Sequence, residues 1–72
     1  MNKPITDKYQ TLFFLFIEYK ALPLQEDNNT LYLSIADINN YKAADAFRFA
    51  TGKNIELVQA DKKELYARIE EL

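Results

Sequence analysis

The chain has 72 residues, 49% hydrophobic and 14% aromatic, with 9 Lys and Arg against 11 Asp and Glu for a net charge of −2. That length holds one core, near the lower limit at which a domain folds alone, and so apolar a composition excludes intrinsic disorder. The absence of Cys and His removes disulfides, thiol chemistry, the usual zinc sites and histidine proton shuttles, and the mild acidity supplies no basic field for nucleic acid.

The pattern predicts a first helix over residues 6–19, capped by Thr6, with Asp7 at its positive end and Lys20 near its far end. The apolar run at 12–17 falls far short of the roughly 20 residues of a membrane span. Glu18 and Tyr19 stand where a signal peptide has small cleavage-site residues, so a cytoplasmic chain with no direct membrane span is expected. The helix carries more apolar residues than one face requires. At about 100° per residue, Tyr9, Leu12, Phe13 and Phe16 form a stripe flanked by Ile17, while Phe14 and Leu15 project away from it. These two either wrap the rim of a small core or meet another chain.

Residues 21–25 alternate Leu22 and Leu24 with other side chains, as in a short strand that Pro23 confines to an edge or a first position. Asp27-Asn28-Asn29 has turn chemistry, and residues 30–36 return as a strand with Leu31, Leu33 and Ile35 on one face. The cluster Asp37-Ile38-Asn39-Asn40 opens a second helix over 41–51, closed by the sole glycine, Gly52, in the left-handed cap position. Ala43, Ala44, Phe47 and Ala50 make a narrow stripe that lets this helix approach a sheet closely. Phe49 falls beside Lys42, Asp45 and Arg48. Arg48 and Phe49 are therefore candidate interface anchors, with Phe49 folded back onto the Gly52 turn as the alternative.

A third strand over 55–59 precedes a final helix that Asp61 caps with capping-box spacing to Glu64. Its Leu65, Ile69 and Leu72 face the sheet, and Glu64 pairs with Arg68 outside. The expected fold is thus a single α+β domain over 1–72, in the order α-β-β-α-β-α. Its three-stranded mixed sheet has the second strand central and the third parallel to it.

No catalytic, cofactor or metal site emerges, and the chain is not expected to be an enzyme. Thr51-Gly52-Lys53-Asn54 imitates part of a phosphate-binding P-loop, but the first glycine is absent, Asn54 replaces the hydroxyl, and a helix precedes where a strand is needed. Glu26 with Asp27, and Glu70 with Glu71, read as solvated surface, and Asp45 with Arg48 as a surface ion pair.

Ala36-Asp37 and, after a short gap, Ala46-Phe47-Arg48-Phe49-Ala50-Thr51-Gly52 resemble the "AD…lrf.tG" segment in the N-terminal domain of the hexameric traffic ATPases of type II secretion and type IV pilus assembly. Leu22-Pro23-Leu24 is similar to that family's strand entry, residues 31–36 and 55–60 to its later strands, and 62–72 to its terminal helix. The chain departs from it in two respects. Ile38 follows Asp37 where many relatives have Pro, and the Arg-x-Gly-x-x-Leu segments by which some relatives bind cyclic di-GMP are missing from these residues, so that ligand is not carried over. The resemblance implies a non-catalytic docking module, excised from a larger ATPase. Its partners would be the cytoplasmic domain of an inner-membrane platform protein and the remaining domains of the same ATPase, placing it peripheral to the inner membrane on the cytoplasmic side. The alternatives are a regulatory domain that binds a nucleotide second messenger or other effector, and a free-standing adaptor.

Overall fold

The computed structural model describes residues 5–71. Helix α1 (Ile5–Lys8) leads through a 3₁₀ turn (Gln10–Leu12) into α2 (Phe13–Tyr19), followed by strands β1 (Ala21–Glu26) and β2 (Thr30–Ile35), helix α3 (Tyr41–Thr51), strand β3 (Asn54–Gln59) and helix α4 (Lys62–Glu70). The expected α+β fold and element order are therefore present. The sheet order is β1-β2-β3, with β1 antiparallel and β3 parallel to the central β2. Pro23, which has no N–H to donate, accordingly lies in an edge strand. The register of β1 shifts between Pro23 and Gln25, leaving Leu24 as a bulge.

Local chemistry explains the boundaries. Asp27 Oδ1 accepts from the amides of Asn29 at 3.0 Å and Thr30 at 2.8 Å, which closes the hairpin. Asn40 Oδ1 caps α3 by accepting from Ala43 N, and Gly52, at φ 73°, ends that helix in the left-handed conformation with its N–H on Arg48 O. Asp61 caps α4 by accepting from Glu64 N. The side chains of Thr6 and Asp7, with the cap and dipole contact expected of them, and Leu72 with its expected packing lie outside what is described.

Leu31, Leu33 and Ile35 of β2 are almost fully buried, and the helices cover them with Phe16, Phe47, Ala43, Leu65 and Ile69. At the centre the rings of Phe16 and Phe47 stack, 5.7 Å apart and 12° from parallel.

The first helical segment corrects the sequence reading. It is not one helix: Tyr9 (φ −105°, ψ 30°) and Leu12 (φ −101°, ψ 13°) leave helical geometry on either side of the 3₁₀ turn. A wheel drawn continuously from residue 6 therefore does not describe the whole segment. The expected stripe of Tyr9, Leu12, Phe13 and Phe16 does pack on the core, and Leu15 and Tyr19 join it, so the buried face is wider than the expected one. Leu15, expected to project away from the stripe, is only 8% exposed, whereas Ile17 is half exposed. The ion pair expected between Glu64 and Arg68 is not among those formed by the described residues, which are Lys8–Glu26, Arg48–Asp45 and Lys53–Glu26.

Candidate functional site

Helices α2 and α3 lie side by side over the sheet, and between them runs a groove of about 560 Å³. Its floor is Leu15, Ala46 and Ala50, the two alanines lowering the α3 wall by their small size. Phe14 rises from α2 and Phe49 from α3 as its aromatic walls. Phe14 is 65% exposed and Phe49 94% exposed, so neither ring is folded back, and Phe49 does not cover the Gly52 turn. Lys42 and Asp45 stand at the rim, where Arg48 Nη2 donates to Asp45 Oδ1 at 2.5 Å.

The structure thus brings Phe14 and Phe49 to one site from elements 35 residues apart in numbering. It places Leu15 beneath them as a core residue with little free surface. Arg48 is solvated at the edge, in an ion pair that contributes only a few tenths of a kcal/mol.

A second cluster escaped the sequence reading. The Glu26 carboxylate, assigned there to solvated surface, receives Lys8 Nζ at 2.5 Å, Tyr9 OH at 2.7 Å and Lys53 Nζ at 2.5 Å. Lys53 Nζ also donates to Asp27 O at 3.1 Å. The hydrogen bonds from Lys53, then Lys8, then Tyr9 hold the Glu26 carboxyl down to about 2. The same contacts push Lys53 up, chiefly through the hydrogen bond to Glu26, while burial is the leading cause that raises Tyr9. No local sequence signal marks this cluster, because its members come from the end of α1 and the residue after it, from β1 and from the turn after α3. It also accounts for the P-loop imitation around Gly52: Lys53 is held by Glu26, and Thr51 Oγ1 donates to Phe47 O at 2.7 Å.

A further cleft of about 590 Å³ opens between β1 and α4, where Leu22, Leu24 and Leu65 form its apolar part. Asp61, Glu64 and Glu71 line it against the single cation Arg68, a balance that repels phosphate. Among the described residues no group of acidic side chains has the arrangement of a metal site. No helix of these residues is long and apolar enough to cross a membrane.

The model of the MshEN domain matches residues 15–72, which include all three strands, α3 and α4. The chain is similar to the protein transport protein HofB homolog of Haemophilus influenzae (strain ATCC 51907 / DSM 11121 / KW20 / Rd), with 34% identity over 58 residues. That alignment covers 81% of this chain and 12% of the relative, so the chain spans a small part of the relative's length. The chain belongs to the MshEN domain family, the N-terminal domain of type II secretion and type IV pilus ATPases.

Proposed function

We propose that this chain is a non-catalytic protein–protein interaction module that docks a secretion or pilus ATPase onto the inner-membrane platform, through the cytoplasmic domain of a bitopic membrane protein. One observation carries this reading: Phe14 and Phe49, exposed aromatics from two helices, wall a single apolar groove with a charged rim. Aromatic anchors over an apolar floor, edged by charge, have the composition of an interface centre. The remaining domains of the same ATPase are the second partner, and the module sits on the cytoplasmic side, peripheral to the inner membrane. With 72 residues there is no room for an ATPase core beside this fold, so hydrolysis belongs to those other domains.

The regulatory alternative gains no support from the cleft at β1 and α4, whose carboxylates oppose an anionic effector. Titration of the platform protein's cytoplasmic domain into the ¹⁵N-labelled chain tests the docking reading. Amide signals around Phe14, Ala46 and Phe49 should move, and the Phe14→Ser/Phe49→Ser double variant should bind about 2 kcal/mol more weakly. Undiminished binding by a folded double variant refutes docking at this groove.

A further inference from the structure

The groove between α2 and α3 also defines what kind of element enters it. Lys42, Asp45, Ala46, Phe49 and Ala50 all lie within α3, and Phe14, Leu15 and Tyr19 within α2. Backbone N–H and C=O groups of a helix point along its axis into its own ladder, so neither wall offers a lateral backbone partner. An extended segment laid between these walls would bury unpaired amides, a costly arrangement, whereas a helix arrives with its backbone already satisfied. The alanine floor at Ala46 and Ala50, one turn apart, lets such a helix approach closely between the two rings. The rim adds a sign. Asp45 is engaged by Arg48, while Lys42 makes no ion pair with the described residues.

We infer that the groove accepts one amphipathic α-helix of a partner protein, with apolar residues at i, i+3, i+4 and i+7 toward Phe14 and Phe49 and an acidic residue at its polar border facing Lys42. This inference rests on the docking reading and specifies the element by which the partner binds.

The probe is a stapled amphipathic helix of about 14 residues with Leu on its apolar face and Glu at the border. Two controls accompany it: a proline-broken peptide of the same apolar content, and a peptide with Lys in place of the border Glu. Titrated against the ¹⁵N-labelled chain, the Glu helix should shift the amides of Phe14, Ala46, Phe49 and Ala50. The proline-broken peptide should bind about tenfold more weakly, and Phe49→Ser should lower affinity for the Glu helix by a similar factor. Lys42→Glu should reverse the preference between the Glu and Lys helices. Equal binding of the proline-broken peptide overturns the inference, as do shifts confined to β1 or β3, or no binding of any peptide at about 1 mM. Sedimentation of the chain alone adds one more outcome, since a dimer abolished by Phe49→Ser would give the groove to a second copy. The two readings fail separately. If the Phe14→Ser/Phe49→Ser variant loses the platform domain while the proline-broken peptide binds normally, docking stands and the helical partner falls.

Discussion

Lys53 Nζ lies 2.5 Å from Glu26 Oε1, an ion pair between residues 27 apart in sequence. It ties the turn after α3 to the end of β1, and Lys8 and Tyr9 tie α1 to the same carboxylate. The Glu26 carboxyl is held from its ordinary 4.5 down to about 2, so the unfolded chain binds the proton more readily than the native one. Its stabilisation is therefore complete above about pH 4.5 and lost as pH falls toward about 2. Urea midpoints measured down that acid limb should decline more steeply for the parent chain than for Glu26→Gln. Parallel curves would show that the cluster is not formed in solution.

Gly52 provides a cleaner backbone test. At φ 73° it occupies the left-handed region, and a β-carbon there would meet nothing within 4 Å. Gly52→Ala is thus expected to cost about 1 kcal/mol through backbone conformation alone, with no packing term. An unchanged unfolding midpoint would rule out the left-handed cap.

Lys20 occupies the same region, at φ 53°, as the C-cap of α2, and it is the non-glycine residue of positive φ among those described. A left-handed backbone strains any residue with a β-carbon by roughly 1 to 2 kcal/mol. Lys20 also places its ammonium 5.9 Å from the centre of the Tyr66 ring, so two variants are needed to separate the effects. Lys20→Ala and Lys20→Gly lose that contact alike, and the glycine variant should be the more stable by about 1 kcal/mol. Equal midpoints would remove the strain argument.

These two helix ends show what the sequence could disclose. Gly52 was legible because glycine is the usual residue at a left-handed cap, and Asp61 and Asn40 because short polar side chains advertise helix starts. Lys20 adopts the same conformation, its N–H bonding Phe16 O, with no chemical signal in its side chain. The strand order was legible for a comparable reason, since Pro23 has no N–H for a second ladder and favours an edge strand. The break in the first helix was not. A 3₁₀ turn at Gln10–Leu12 interrupts the helix, and neither glycine nor proline announces it. Of the candidate interface residues, Phe49 was placed from α3 alone, a regular helix from cap to cap. Its neighbour across the groove, Phe14, adjoins Leu15, for which the core and interface readings were both open and which the core takes. The Glu26 cluster, built from three separated segments, has no periodic or local signature.

The division between Phe14 and Leu15 yields the prediction that bears most directly on docking. Phe14 and Leu15 are adjacent, yet Phe14 is 65% exposed and Leu15 8% exposed, so single variants should behave in opposite ways. Phe14→Ser removes surface contacts only and should leave stability within about 0.5 kcal/mol, the range for surface sites. Leu15→Ala opens a cavity beside Phe16 and the α3 wall and should cost roughly 2 to 5 kcal/mol, a large share of the stability of so small a domain. A partner titration should then separate them again: Phe14→Ser binds weakly while fully folded, whereas Leu15→Ala, which also lines the groove, loses binding together with stability. Denaturant titrations of both variants, run beside the partner titration at a temperature where each is at least half folded, provide the check. If Phe14→Ser proves as destabilising as Leu15→Ala, the ring of Phe14 belongs to the core, and the α2 wall of the groove does not exist in solution.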